Sequence, residues 1–77
     1  MSSTINRIRH IVAQLLELDE KRIHDNADFV EDLGATRQEM RQIFRELEEE
    51  FNIDIPTEDQ RDITSVRTAA DYIQSHT

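Results

Sequence analysis

The sequence contains no cysteine and no tryptophan, and it has one glycine and one proline among 77 residues. Without cysteine the chain can form no disulfide framework, no thiolate metal site and no cysteine nucleophile. The scarcity of glycine, proline and aromatic residues, together with abundant Glu, Gln and Arg, favours helices over sheet. These absences predict an all-α protein, with nothing that requires an oxidising compartment.

Long apolar runs are also missing, since no segment approaches the roughly 20 residues of a membrane span. The N-terminus lacks the apolar core of a signal peptide. The formal net charge of −8 disfavours nucleic acid as a partner, because phosphate binding needs basic patches. We therefore expect a single domain over residues 1–77 that is cytoplasmic and monomeric, binds proteins, and contacts neither nucleic acid nor membrane.

Apolar residues recur at helical spacing in the first, third and last quarters of the chain and predict helices there. Thr36 and Glu39 match the T-x-x-E capping box at the start of the second helix, and Thr57 and Gln60 suggest another at a short third helix. Ser65 can cap the last helix. The predicted helices, which should pack through one apolar core, span residues 3–17, 36–51, 57–63 and 65–75.

A long segment without periodicity separates the first two predicted helices, from Leu18 to Ala35. A loop of about 18 residues is unusual in a compact domain and is often functional. Isolated apolar residues such as Ile23, Phe29 and Leu33 stand among Asp, Asn and Glu, and they indicate that the loop lies on the core. We predict an ordered loop with room for one short turn.

Three blocks of the sequence resemble the acyl carrier proteins. They are NADFVEDLGA (residues 26–35), LEEEFNIDIP (47–56) and DITSVRTAADYI (62–73). The helix lengths, the long first loop and the total size agree with that family. The resemblance implies a small antiparallel four-helix bundle of three long helices and one short one, with the long loop between the first two.

The family's reaction site differs in this sequence. In typical members a Leu-Gly-Ala turn precedes Asp-Ser-Leu, and the serine hydroxyl receives 4′-phosphopantetheine, whose thiol carries acyl groups. Here the triplet is Thr36-Arg37-Gln38, so the resemblance places Arg37 at the attachment position. A guanidinium has no hydroxyl and stays protonated, so we expect no 4′-phosphopantetheine there. Attachment displaced to Thr36 is an alternative, although that hydroxyl should serve as the helix cap.

The second predicted helix also has an unusual charge pattern. Its three arginines lie at i, i+4 and i+8 and share one face. Arg37 in the first turn and four glutamates near the C-terminus oppose the helix macrodipole. The simplest interpretation is a solvated face with local ion pairs, for example Arg45 with Glu48 or Glu49. The functional interpretation is partner binding, with candidate residues Arg37, Gln38, Arg41, Arg45, Glu48 and Glu49.

Catalysis and metal binding have no supporting pattern. His10, His24 and His76 are far apart and show no H-E-x-x-H spacing, and residues 19–32 lack the spacing of a calcium loop. We expect a protein that is not an enzyme and holds no metal.

The leading hypothesis is an acyl-carrier-like accessory or regulatory module that binds enzymes of fatty-acid, polyketide or related carrier-dependent synthesis without a covalent cofactor. One alternative is a true carrier modified at Thr36. Another is a protein that binds an anion or an acyl-pantetheine non-covalently at the arginines. A diverged paralogue with no retained role is also compatible with the sequence.

Overall fold

The computed structural model describes residues 3–76 and contains four α-helices and one 3₁₀ turn. These are α1 (Thr4–Leu16), the 3₁₀ turn (Glu20–Arg22), α2 (Arg37–Phe51), α3 (Thr57–Gln60) and α4 (Val66–Ser75). Helix α1 packs against both α2 and α4. The described residues include no strand, so the predicted all-α bundle is confirmed. No helix among them is both long enough and apolar enough to cross a membrane.

Capping boxes set the starts of α2 and α4, as predicted for α2. The Thr36 hydroxyl accepts the backbone N–H of Glu39 at 3.1 Å, and the Glu39 carboxylate accepts the N–H of Thr36 at 2.9 Å. Ser65 caps α4 in the same way: its hydroxyl accepts the N–H of Thr68 at 3.2 Å, and the Thr68 hydroxyl accepts the N–H of Ser65 at 2.9 Å. Local sequence therefore determines where both helices begin.

The ends of α1 and α2 use left-handed residues that are not glycine. Ser3 caps the start of α1: its hydroxyl accepts the N–H of Asn6 at 3.1 Å. Glu17 after α1 and Asn52 after α2 have φ values of 55° and 53°. Residues other than glycine and asparagine seldom adopt this left-handed backbone conformation, so Glu17 stores some backbone strain at the end of α1.

The predicted capping box of α3 is wrong. Pro56, not Thr57, occupies the N-cap position, and no side chain caps this helix. The Gln60 side-chain amide instead donates to the carbonyl of Ile55 at 3.1 Å. Helix α3 ends at Gln60 rather than at residue 63, because without a cap or a buried side chain it has little to extend it.

The apolar core draws on α1, α2, α4 and the long loop. The loop contributes Ile23, Phe29 and Ala35, which are all buried, so the prediction that it lies on the core is confirmed. Its single short turn is the 3₁₀ turn. The helices and their flanking segments supply the other buried apolar residues, namely Ile8, Val12, Ala13, Ile43, Phe44, Leu47, Ile55, Ile63, Val66, Ala69, Ala70 and Ile73.

Hydrogen bonds and ion pairs hold the loop against α1 and α4. One oxygen of the Asp25 carboxylate accepts a hydrogen bond from the Arg9 guanidinium. The other oxygen lies 3.6 Å from a guanidinium nitrogen of Arg67. The N–H of Arg67 donates to the Asp25 carbonyl at 2.8 Å, and the N–H of Phe29 donates to the Thr64 carbonyl at 2.8 Å. The loop is therefore a fixed part of the bundle that leads the chain to α2.

Helix α3 is fastened to α4 by one side-chain hydrogen bond. The Tyr72 hydroxyl donates to a carboxylate oxygen of Asp59 at 2.8 Å. This bond, together with desolvation and the negative charge of Asp59, raises the pKa of Tyr72 to about 12. The Tyr72 ring also stacks on His76, with 4.0 Å between the ring centroids.

Candidate functional site

The candidate site is the turn that leads from the loop into α2, and Asp28 organises its first half. The Asp28 carboxylate accepts the N–H groups of Val30 and Glu31, each at 2.9 Å. The Asp32 carboxylate in turn accepts the N–H of Asp28 at 2.8 Å. These side-chain to backbone hydrogen bonds take the place of the backbone hydrogen bonds of a helix or sheet, so this part of the turn has a defined shape.

The second half of the turn depends on Gly34. Its φ is +75°, and nothing lies within 4 Å of the position a Cβ would occupy. Backbone conformation, and not crowding, therefore favours glycine here. The N–H of Gly34 donates to the Val30 carbonyl at 3.1 Å, and the N–H of the buried Ala35 donates to the Phe29 carbonyl at 2.9 Å. These bonds direct the chain into the Thr36 cap.

Arg37 is the first residue of α2 and is exposed. It presents a guanidinium at the start of the helix and has no hydroxyl. Thr36 carries the one hydroxyl in residues 28–37, and that oxygen already accepts the N–H of Glu39 at 3.1 Å. The turn thus offers a fixed cation beside an occupied capping oxygen.

The arginine face of α2 (Arg37, Gln38, Arg41 and Arg45) is exposed at all four residues. Its arginines follow one another at about 6 Å along the helix axis, since each residue adds ~1.5 Å. Within residues 3–76 none of the three forms an ion pair with a carboxylate. The local pairing of Arg45 with Glu48 or Glu49 considered above is therefore not present.

The acidic end of α2 is partly committed to intramolecular contacts. Glu48 is half-buried, and its carboxylate accepts the N–H of Ile55 at 2.8 Å, which closes the turn after α2. Glu50 pairs with Arg7 at 2.7 Å. Glu49 is exposed. Sequence spacing gave no sign of the Glu48 contact, because it depends on how the chain turns back after the helix.

The three histidines are as dispersed in space as they are in sequence. His10 pairs with Glu20 at 2.9 Å, His76 stacks on Tyr72, and His24 is exposed. In the part of the chain that the structure describes, no group of three or more His, Cys, Asp or Glu side chains is placed to hold a metal ion.

Four surface clefts lie away from the arginine face. They are lined by residues of the α1 to 3₁₀-turn region, of the α1–α2 groove, and of α4 with the segment before it. None of the four includes Arg37, Gln38, Arg41 or Arg45. The arginine face is thus a convex helix surface, suited to a contact between macromolecules more than to enclosing a small ligand.

A helical bundle whose long, ordered loop turns tightly into α2 is the architecture of carrier proteins. A family model described as a phosphopantetheine attachment site (PP-binding) matches residues 6–73. The chain belongs to this phosphopantetheine-attachment family, and the resemblance to acyl carrier proteins is confirmed. Carrier proteins of this kind interact with partner enzymes and are not catalytic themselves.

Proposed function

We propose that this protein is an acyl-carrier-like module that works by non-covalent protein binding and is not phosphopantetheinylated at residue 37. The observation that carries the proposal is the exposed Arg37 at the first position of α2, where the family resemblance places a serine. Attachment needs a hydroxyl oxygen as nucleophile, which a permanently protonated guanidinium lacks. The residues of this turn therefore do not fit the cofactor.

Attachment at Thr36 is less favourable than the proposal, because its hydroxyl belongs to the cap of α2. The oxygen accepts the N–H of Glu39 at 3.1 Å, while Glu39 returns a bond to the Thr36 backbone at 2.9 Å. Losing such a cap costs about 0.5–2 kcal/mol. A modified Thr36 would thus weaken the helix that presents the cofactor.

The proposed role is that of an accessory or regulatory partner of enzymes from fatty-acid, polyketide or related carrier-dependent synthesis. The scaffold of the family supplies the general shape that such enzymes bind. The arginine face supplies the surface that distinguishes this chain, and Glu49 supplies an exposed acid near the other end of α2.

The test is incubation with a broad-specificity phosphopantetheinyl transferase and coenzyme A, followed by intact-mass measurement. We expect no mass change, with a serine-containing acyl carrier protein as the positive control in the same reaction. An adduct mapped to Thr36 would establish a true carrier with a displaced site. An adduct at any other residue would equally overturn the proposal.

The single substitution Arg37→Ser should restore modification poorly. Thr36 and Gln38 also differ from the Asp and Leu of typical family members. We therefore expect a rate at least about tenfold below that of the control carrier, a loss of ~1.4 kcal/mol in transition-state stabilisation. The matched variant Thr36→Asp/Arg37→Ser/Gln38→Leu, which has the complete family triplet, should be modified faster. Equal and rapid modification of both variants would show that Arg37 alone blocks the reaction.

A further inference from the structure

The charges of α2 are segregated along its axis. The stretch Arg37–Arg45 holds three arginines and one carboxylate, whereas Glu46–Phe51 holds four glutamates and no cation. The helix macrodipole favours the reverse order at the two ends of a helix. This charge order thus does not serve the stability of the helix.

The arginines of this face also lack the ion pairs that three other arginines of the chain form. Arg7, Arg9 and Arg67 each lie within ion-pair distance of a carboxylate. The arginine face has none among the described residues, although the chain contains 17 acidic residues against 9 lysines and arginines. Like charges one turn apart on a helix also repel each other. A surplus of carboxylates leaves these cations unneutralised, so their charge is available to another molecule.

The shape and the overall charge of the protein indicate which kind of molecule can bind the arginine face. A convex face without a cleft suits a macromolecular surface more than a small anion. The net charge of −8 opposes long-range attraction to any anionic molecule, and most strongly to nucleic acid and membranes, whose negative charge is extended. A protein can instead present a few carboxylates to the arginine face alone.

Guanidinium groups bind carboxylates through paired, charge-assisted hydrogen bonds. Three of them at steps of ~6 Å match acidic side chains one helical turn apart. We infer that the arginine face docks on an acidic helical surface of a partner protein that presents carboxylates at this spacing. The inference rests on the proposed non-covalent function and adds to it the sign and spacing of the partner's charge.

A synthetic peptide can test this inference. The probe is a covalently stapled helix with Glu at i, i+4 and i+8, and the controls are the same helix with Gln or Lys at those positions. The full chain, labelled with ¹⁵N, is titrated at low ionic strength. The Glu helix should shift the amide and Nε signals of Arg37, Arg41 and Arg45, and added salt should weaken its binding. The Gln and Lys helices should leave these signals unchanged.

Two charge-reversal variants distinguish binding at the arginine face from a general effect of the protein's net charge. Arg41→Glu should weaken binding of the Glu helix at least about tenfold. Arg61→Glu makes the same charge change at an exposed arginine outside α2 that has no carboxylate partner within residues 3–76, and it should alter affinity by less than about threefold.

The inference is overturned if the Glu helix causes no shifts, if the Gln helix binds equally well, or if both reversals weaken binding alike. A stronger response of the face to coenzyme A or to phosphatidylglycerol vesicles would assign it to a phosphate ligand or a membrane. The transferase assay is independent of these results. An adduct there overturns the non-covalent role, whereas a failed titration without an adduct removes only the charge assignment.

Discussion

Replacing Phe29 with alanine should lower the free energy of unfolding by about 3–5 kcal/mol, because the ring is 0% exposed and the surrounding core cannot close the space it leaves. A chain of this size has a total stability of only about 4–12 kcal/mol. The variant should therefore lose a large part of its stability and unfold at a much lower denaturant concentration. Denaturant titration followed by circular dichroism measures the loss.

The position of Phe29 explains why a loop residue has so large an effect. Its N–H donates to the Thr64 carbonyl at 2.8 Å, and its carbonyl accepts the N–H of Ala35 at 2.9 Å, so its backbone joins the loop both to the segment before α4 and to the turn before α2. The matched control is the neighbouring Val30→Ala, which removes a side chain that is 50% exposed. The control should change stability by less than about 0.5 kcal/mol. Similar losses in both variants would show that the loop does not contribute to the core as described.

Asp25→Asn should cost about 1–3 kcal/mol, the second largest effect we expect. The side chains of Arg9 and Asp25 are only 19% and 34% exposed, and the Arg9 guanidinium also donates to the Ile23 carbonyl at 3.0 Å. Removing the carboxylate charge leaves a partly buried cation without its counter-ion, and it weakens the contact with Arg67 as well. Thermal or denaturant unfolding measures the change.

The control for Asp25 is Glu50→Gln, which breaks another arginine pair in a more exposed setting. The side chains of Arg7 and Glu50 are 40% and 42% exposed, and pairs of this kind contribute about 0–1 kcal/mol. The Asp25 variant should therefore lose more stability than the Glu50 variant, and the difference should persist in high salt because partial burial limits screening. Equal losses would mean that Asp25 acts as an ordinary surface charge.

Local signals in the sequence were sufficient for most of the helical boundaries. The pairs Thr36 with Glu39 and Ser65 with Thr68 act within three residues, so short-range spacing identifies where α2 and α4 start. Pro56 shows the limit of this approach at α3. It takes the N-cap position with extended backbone at ψ 152° and has no side-chain acceptor, so the motif that follows it is not used as a cap.

The contacts that hold the loop in place could not be predicted in the same way. Asp25 meets Arg9 and Arg67 across separations in sequence that no periodicity links, and these partners come together only once α1 and α4 have packed. The same reason applies to the site. The exposure of Arg37 follows from its place off the apolar stripe of α2, whereas the bond from Ile55 to Glu48 requires the chain to turn back after the helix.

The capping box at the start of α2 has a consequence for how this site can change over evolutionary time. The polar groups that secure the helix start belong to Thr36 and Glu39, and the turn before it is shaped by Asp28 and Gly34. Residue 37 lies between these, exposed and outside every bond that the turn requires. The residues that stabilise the turn are thus different from the residue at the reaction position. Residue 37 can therefore change from a reactive side chain to an inert one, or the reverse, with little effect on folding.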